Sequence, residues 1–374
     1  IGELSMKVAI LSMQRVCNYG SFLQAYSLKR IIQEMGHQVE FLDIIPGRKL
    51  SIHQDAKNIR KGNTILWLVS KLDRNVIQRL RHLFHSYLFR RKFITEWHPL
   101  LGLNGNLRFE TDADVVVIGS DEVFNFAQKS NWGFTTQLYG EKINAKKIFS
   151  YAASFGFSLY SDAQRAGIVK ELKEALEKLA TISVRDRNSY QFITQLLGKP
   201  PIIHIDPTLV YQLEAEIPKV KVPYKYLLLY SYGGRTNSHE EIGAIRGFAR
   251  KRGLKVISVG TYHYWCDKNI IVNPLEALAY FKNAAYIVTD TFHGTVFSII
   301  THKQFCTIIR DSNMEKLSFL LEQFELTNRR LENIVDLENQ LEVKIDYNLV
   351  DKVILEERNK ALQYLREHLK DEQG

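Results

Sequence analysis

The sequence predicts an α/β protein with two domains, each built on a mainly parallel β-sheet flanked by helices. The 374 residues exceed the roughly 250–300 residues that a single hydrophobic core supports. Short apolar runs typical of buried strands alternate with segments of helical periodicity, and this alternation requires parallel strands joined by crossover helices. A polar stretch with two prolines at 211–223 interrupts the alternation, so we place a hinge there.

The N-terminal domain is predicted at 6–210 and is Rossmann-like. Its strand-type runs lie at 7–13, 39–44, 114–118, 147–152, 181–184 and 201–205. Helical patterns lie at 22–35, 163–179 and 189–197. The first strand, the first helix and the second strand form a βαβ unit, which is the usual opening of a doubly wound sheet.

The C-terminal domain is predicted at 221–345 and is also Rossmann-like. Its strand-type runs lie at 226–231, 255–259, 286–289 and 305–309. Helical patterns lie at 238–252 and 274–282, and a third begins at Gly294. A long charged helix at 349–369 ends the pattern, and we expect the segment 346–374 to pack back on the first domain.

A basic helical insertion at 57–94 carries the whole net charge of +9. It holds ten basic side chains and one acidic one, Asp73, and its apolar residues recur at helical spacing. Such a segment either packs its apolar face on the first domain, or binds an anionic membrane surface, or binds nucleic acid. No recognisable nucleic-acid module accompanies it, so we predict no nucleic-acid partner.

The cysteines indicate a reducing compartment. The three cysteines, Cys17, Cys266 and Cys306, have no CxxC spacing, which argues against a disulfide framework or a structural zinc site. No apolar run approaches the roughly 18 residues needed to cross a bilayer. We therefore expect a cytoplasmic protein, with peripheral contact at the inner face of the membrane if the insertion binds lipid.

Ligands of doubly wound sheets bind beyond the carboxyl ends of the strands, so the loops there hold the candidate site residues. The first two loops are short and polar, and they contribute Asn18, Gly20, Ser21, Gly119, Ser120 and Asp121. Exposed N–H groups at a following helix N-terminus favour an anion. The same residue types also form an ordinary N-cap or a capping box, so both interpretations stay open.

Two later loops add charged groups. Arg185 and Arg187 follow the strand at 181–184, and guanidinium groups match the geometry of carboxylate and phosphate. Arginines in such a turn are also common surface residues. Asp206, which follows the next strand and precedes Pro207, is most simply a strand terminator.

The loop after the strand at 286–289 holds a histidine at the start of a helix. Thr289, Asp290, His293, Gly294 and Thr295 stand in this loop. Histidine is the natural general acid and base near neutral pH, and a neighbouring carboxylate fixes its tautomer. We therefore predict His293 and Asp290 as catalytic residues. A histidine that only caps the helix is the simpler alternative.

Six motifs occur along the chain in a fixed order. They are NYGSFLQAYSL (18–28), VVIGSDEVFN (116–125), SYAASFG (150–156), ISVRDRNS (182–189), DPTLV (206–210) and TDTFHGTVFSI (289–299). In this order they resemble the polysaccharide pyruvyl transferase family over most of 6–309. The basic insertion and the terminal helix lie outside the resemblance.

The resemblance implies a reaction and a fold. The enolpyruvyl group of phosphoenolpyruvate would move to a sugar of a bacterial surface polysaccharide, such as an exopolysaccharide or capsule, or to its precursor, and form a pyruvate ketal. Two Rossmann-like domains would be arranged as in GT-B glycosyltransferases. Neither a metal nor a cofactor is implied, since phosphoenolpyruvate is a substrate.

The resemblance also assigns roles to residues. His293 matches the catalytic histidine, Arg185 matches the arginine that contacts the anionic donor, and Asn18, Gly20, Gly119 and Ser120 match the loops that line the cleft. Some members have arginine where this chain has Thr291, so another cation must replace it, and we name Arg187. An anionic donor also leads us to expect a positive cleft, with Arg185 and the helix N-termini as the source.

Two other functions fit the same pattern. A GT-B glycosyltransferase that uses a nucleotide sugar would share the architecture and the anion-binding loops. A non-catalytic protein could use the basic insertion to bind lipid or nucleic acid and keep only a vestigial cleft. The acceptor of the ketal reaction is often lipid-linked in the family, which would suit contact of the insertion with the inner leaflet.

Overall fold

The computed structural model describes residues 5–50 and 76–370. Residues 57–75 of the predicted basic insertion lie outside this part. The described chain forms two sheets of six parallel strands each, both flanked by helices. The predicted fold class is therefore confirmed.

The strands divide evenly along the chain. The first sheet holds β1 (Lys7–Leu11), β2 (Gln38–Leu42), β3 (Val115–Asp121), β4 (Lys147–Ala153), β5 (Ser183–Val184) and β6 (Ile202–Ile203). The second sheet holds β7 (Tyr226–Tyr230), β8 (Lys255–Val259), β9 (Lys268–Ile270), β10 (Tyr286–Thr289), β11 (Phe305–Ile308) and β12 (Arg330–Leu331). We call the parts of the chain built on these sheets the first lobe and the second lobe.

Each sheet reverses its winding direction at one place. The first sheet has the order β2-β1-β3-β4-β5-β6, and the second has β12-β11-β10-β7-β8-β9. The chain therefore leaves to opposite sides after β1 and β3, and again after β7 and β10. Such switch points open a crevice at the carboxyl ends of the strands, where ligands bind in this class of fold.

Twelve α-helices connect the strands in the described residues. Those of the first lobe are α1 (Tyr19–Glu34), α2 (Val76–Lys92), α3 (Tyr160–Arg165), α4 (Val169–Leu176), α5 (Arg187–Leu197) and α6 (Pro207–Val210). Those of the second lobe and the terminal segment are α7 (His239–Lys251), α8 (Pro274–Asn283), α9 (Phe292–Ile300), α10 (Met314–Gln323), α11 (Leu337–Glu342) and α12 (Tyr347–His368). The helix predicted at 163–179 is two helices, because the left-handed Gly167 (φ +68°) ends the first.

One apolar core runs through both lobes. Val8 and Ile10 of β1 face the same side of the first sheet, because successive strand residues alternate between the two sides. They belong to one buried cluster with Leu228 of β7 and Ile287 of β10. Two further clusters cover the outer faces of the two sheets. Helix α12 packs back on the first sheet, where the Tyr364 hydroxyl donates to the Ser150 carbonyl at 2.8 Å.

The described part of the insertion differs from one expectation. Helix α2 has no fully buried residue. Phe89 and the following Phe93 pack on the core of the first lobe, whereas the apolar side chains nearer the start of the helix are exposed. Two further observations concern the cysteines and the length of the apolar helices. All three cysteines are free thiols, and among the described residues no helix is long and apolar enough to cross a membrane.

Candidate active site

The two switch points meet at the contact between the lobes. Helix α1 begins directly after the loop that follows β1, and Asn18 caps it by accepting a hydrogen bond from the Ser21 N–H at 2.7 Å. Helix α9 begins in the same way after β10, where Thr291 accepts from the Gly294 N–H at 2.9 Å. Both N-termini open toward the interlobe contact, and their unpaired N–H groups favour negative charge there.

His293 is the second residue of α9 and reaches from the second lobe to the first. Its side chain is nearly buried, with 7% of the residue exposed. Nε2 lies 3.6 Å from Oδ2 of Asp206, and it has no hydrogen-bond partner. That distance exceeds a hydrogen bond, so the carboxylate faces the ring nitrogen without bonding to it. The histidine is therefore an unpaired proton-carrying group beside a carboxylate.

Gly20 forms the first-lobe wall of the histidine site. A β-carbon at this position would lie 2.3 Å from Nδ1 of His293, closer than any real contact. The glycine is needed because the imidazole packs on the backbone itself. The close fit fixes one side of the ring, while Phe297 lies at 5.8 Å between ring centroids.

Arg185 joins the strand ends of the first lobe. It donates to Asp206 at 2.6 Å and to Asp121 at 3.0 Å, and the hydroxyl of Ser120 lies 3.5 Å away. Its guanidinium also lies 4.3 Å above the ring of Phe292. Two carboxylates thus face one guanidinium, so the expectation that Arg185 makes the cleft positive is wrong.

The two carboxylates are held by further donors. Oδ1 of Asp206 accepts from the Thr208 hydroxyl at 2.7 Å and from its N–H at 3.1 Å. Burial opposes ionisation of Asp206, but the neighbouring His293 and Arg185 outweigh it and hold its pKa well below the usual range. Asp121 accepts from the Ser21 hydroxyl at 2.7 Å. Asp206 therefore stays ionised near neutral pH.

A second ion pair crosses between the lobes. Nζ of Lys316, in α10, lies 2.7 Å from Oε1 of Glu122, which follows β3. Burial raises the pKa of Glu122, but the attraction of Lys316 and a hydrogen bond from Asn125 dominate and lower it to about 2. Burial likewise opposes the charge on Lys316, and Glu122 more than offsets it, so the pKa of Lys316 is raised. Lys316 is thus a charged ammonium group at the interlobe contact.

Several residues predicted for the site come together. Gly20, Ser21, Ser120, Asp121, Arg185 and His293 form one continuous set of contacts. Asn18 and Gly294 belong to the two helix caps beside it. A β-carbon at Gly294 would meet the Thr289 hydroxyl at 2.1 Å, and one at Gly119 would meet the Tyr151 carbonyl at 2.1 Å, so both glycines serve close packing.

Four predicted residues have other partners. Asp290 binds Nε of Arg310 at 2.9 Å, so the expectation that it orients His293 is wrong, and Asp206 occupies that place. Arg187 is the first residue of α5 and pairs with Glu322 on the surface at 2.7 Å. Thr289 donates to the Tyr230 carbonyl at 2.7 Å, and Thr295 donates to the Thr291 carbonyl at 3.0 Å. These two threonines therefore serve the local fold.

Sequence reasoning missed two groups of the site. Asp206 stands in one of the six motifs, and the signal for it was its place after a strand, which we interpreted as a strand terminator. Lys316 lies inside an ordinary amphipathic helix, and nothing in the local sequence distinguishes it from a surface lysine. Within the described ranges, no three histidine, cysteine or acidic side chains are grouped so that they could hold a metal ion.

Comparison with known proteins identifies one family and solved structures of low sequence identity. A family model described as polysaccharide pyruvyl transferase matches residues 18–312. No curated protein matches the chain. Two solved structures align over almost the whole chain, each with 11% identity and a TM-score of 0.47. One is UGT89C1 of Arabidopsis thaliana with UDP-L-rhamnose, where the alignment covers 97% of this chain and 98% of that one. The other is a putative UDP-N-acetylglucosamine 2-epimerase from Listeria monocytogenes, with 98% and 97% covered.

Proposed function

Because the chain belongs to the polysaccharide pyruvyl transferase family, we propose that it transfers the enolpyruvyl group of phosphoenolpyruvate to a sugar. The acceptor is a unit of a surface polysaccharide, such as an exopolysaccharide or capsule, or a precursor of it. The product is a pyruvate ketal that bridges two hydroxyls of that sugar. Phosphate is released.

The observation that carries the proposal is the environment of His293. Its Nε2 is buried without a hydrogen bond and lies 3.6 Å from an ionised carboxylate, Asp206. A group that both gives and takes a proton is what the enol phosphate needs, because its methylene carbon is protonated before the sugar oxygen adds. His293 is such a group and lies at the contact between the lobes. When its imidazole carries the proton to be delivered, the ionised carboxylate of Asp206 balances the charge.

The first half of the reaction adds one sugar hydroxyl to the donor. His293 delivers a proton from Nε2 to the methylene carbon, which becomes a methyl group. The neighbouring carbon gains the character of an oxocarbenium ion, and the sugar oxygen bonds to it. The hydroxyl proton returns to the imidazole. Asp206 and Asp121 would supply negative charge to it, and fixed charges of this kind stabilise a transition state without reorganising.

The second half removes phosphate and closes the ring. The carbon–oxygen bond to phosphate breaks, and the second sugar hydroxyl bonds to the same carbon. Its proton leaves with the phosphate. One hydroxyl proton thus ends on the methyl group and the other on phosphate, so phosphoenolpyruvate and the diol are converted to ketal and phosphate without an oxidant or a metal.

Donor binding needs positive charge, and Lys316 supplies it in our proposal. Arg185 is already shared by two carboxylates, and Thr291 caps α9 where some family members have arginine. Lys316 is a charged group at the same interlobe contact, and exchange of Glu122 for the donor phosphate would retain an ion pair. The N-termini of α1 and α9 add N–H groups for the donor carboxylate. Arg185 then acts by holding Asp206 and Asp121 in place.

The compartment is part of the proposal. All three cysteines are free thiols, which supports a reducing environment such as the cytoplasm. There the enzyme would act on a polysaccharide precursor before its export. The test of the proposal therefore uses a panel of such precursors as acceptors.

The decisive experiment measures phosphate release from phosphoenolpyruvate with a panel of lipid-linked and nucleoside-diphosphate sugars. We expect release only with an acceptor present, together with a product heavier than that acceptor by the ketal carbons. A His302→Ala variant serves as the matched control, because His302 is an exposed histidine paired with Asp351 far from the site. Transfer of a sugar from a nucleotide donor, without consumption of phosphoenolpyruvate, would overturn the proposal in favour of a glycosyltransferase.

A further inference from the structure

Helix α2 carries an uncovered apolar strip. The large apolar side chains at Val76, Ile77, Leu80, Leu83, Phe84 and Tyr87 are each more than half exposed. At about 100° per residue they fall within a sector of roughly 120°. Scattered exposed apolar residues are ordinary, whereas a contiguous strip of this kind marks an interaction surface.

The opposite side of α2 holds the helix on the protein. The ring of Phe89 packs on Tyr19 at 5.2 Å between centroids. His82 and His85 contact the ring of Tyr262 at 5.9 and 5.7 Å. The helix is therefore anchored by one side to both lobes, and the apolar strip points away from them.

Basic residues border the strip, and acidic ones are missing from the helix. Val76–Lys92 contains five basic side chains and no acidic one. Arg79 and Arg90 lie along one edge of the strip at helical spacing, and Arg81 and Lys92 lie along the other. Lys92 pairs with Glu96, while the arginines have no acidic partner within the part of the chain that the structure describes. The strip thus presents apolar groups flanked by unpaired positive charge.

We propose that α2 docks on a membrane surface rich in anionic lipid. The apolar strip would enter the boundary between headgroups and acyl chains, and the flanking arginines would lie at the phosphate level. An anionic bilayer offers both chemistries to one helix face at once. Nucleic acid offers the negative charge but no apolar phase for Leu80 and Phe84, so lipid is the better match.

The place of α2 gives the docking a consequence for the site. The helix lies beside Tyr19, which begins α1, and beside Gly233, whose β-carbon would be 3.9 Å from His82 Nε2. Both positions follow strands whose carboxyl ends open on the interlobe contact. Docking would bring the mouth of the cleft to the bilayer. If the proposed function holds, this favours an acceptor sugar carried by a lipid.

The test is sedimentation of the full chain with vesicles. Vesicles of phosphatidylcholine alone are compared with vesicles of equal parts phosphatidylcholine and phosphatidylglycerol, at low and high salt. We expect binding only to the anionic vesicles, weakened by salt. The double variants L80E/F84E and R79Q/R81Q should each lose at least about tenfold in affinity for the anionic vesicles. Leu355→Glu is the matched control, because Leu355 is equally apolar and 56% exposed on α12.

Each other outcome overturns the proposal. Wild-type protein that stays in solution with anionic vesicles shows that the strip is not a lipid-binding face. Equal binding to neutral vesicles shows that the flanking positive charge has no role. Equal weakening of binding by Leu355→Glu shows that α2 is not the docking element. A wild-type dimer that L80E/F84E converts to a monomer, without vesicle binding, shows that a second copy covers the strip. Phosphate release with a water-soluble acceptor is measured in parallel, so failure of docking and failure of the proposed reaction are distinguishable.

Discussion

The imidazole of His293 rests against the α-carbon of Gly20, and the two residues belong to different lobes. A β-carbon on Gly20 would lie 2.3 Å from Nδ1, so the ring position depends on the lack of a side chain there. This contact ties the geometry of the histidine to the approach of the two lobes.

Replacement of Gly20 by alanine should therefore impair the reaction more than the fold. The added methyl group must push the imidazole or the lobe away, and displacement of a catalytic group by about 1 Å costs on the order of 10²-fold in rate. Steady-state rates measure the effect. Gly243→Ala in α7 is the control, because its β-carbon would meet nothing within 4 Å. A Gly20→Ala enzyme as fast as the Gly243→Ala enzyme would contradict the contact.

His293→Ala should abolish nearly all turnover. Loss of a general acid and base costs about 10²- to 10⁴-fold, and phosphate release from phosphoenolpyruvate measures it. Thermal unfolding checks that the variant is folded at the assay temperature, because removal of a buried ring also costs some stability. The His302→Ala enzyme should keep wild-type activity. Residual activity above about a tenth of wild type in His293→Ala would exclude proton transfer by this residue.

Asp206 and Asp290 should differ when each is changed to asparagine. Asp206→Asn removes the charge beside His293, so we expect kcat to fall by about 10²-fold or more and the pH dependence of kcat to shift. Asp290→Asn weakens the pair with Arg310 and should lower the melting temperature with a smaller loss of rate. The reverse ranking of the two rates would restore Asp290 as the partner of His293.

Lys316→Ala should raise the KM for phosphoenolpyruvate by about tenfold or more, because a charged hydrogen bond to phosphate is worth roughly 1.5–3 kcal/mol. Lys316→Arg should recover part of the loss, which a purely structural role of the amine would not produce. Arg187→Ala is the control, since it removes another interlobe pair, Arg187–Glu322, which is exposed and contributes little. A larger effect on KM from Arg187→Ala would favour the arginine named from the sequence.

Stability should decrease as the pH falls from 6.5 to 4, in part through His204. Burial lowers its pKa from 6.5 to about 4, so in this window the unfolded chain binds a proton that the folded chain does not. The loss is complete near pH 4 and corresponds to roughly 3 kcal/mol at most. Chemical denaturation of wild type and His204→Gln measures it, and the variant should show a flatter dependence. Parallel curves for the two proteins would contradict the burial of a neutral histidine at this position.

Most of the fold followed from local pattern. Strands β8 and β10 lie where the apolar runs at 255–259 and 286–289 predicted them, because both are buried and bounded by clear turn signals. Strands β9 and β12 have three and two residues and too little apolar periodicity to be recognised. The sequence predicts α3 and α4 as one helix because an isolated glycine such as Gly167 does not by itself end a helical pattern.

The site was predicted only where its chemistry is local. His293 stands in a strand-to-helix loop whose neighbours indicate function, and Arg185 follows a strand in the same way. The pairing of His293 with Asp206 spans 87 positions and two lobes, and no spacing rule in one sequence reports such a contact. Asp290 was named because it is near in sequence, yet its carboxylate turns to Arg310, which is part of another strand end.

The division of the site between the lobes has one more consequence. His293 is carried by one lobe and its carboxylate partner by the other, so the working pair exists only while the two touch. A molecule whose halves have separated holds an imidazole without its counter-ion. Under the proposed reaction, phosphoenolpyruvate that meets such a molecule would not be protonated by the assembled pair, which would limit its wasteful hydrolysis.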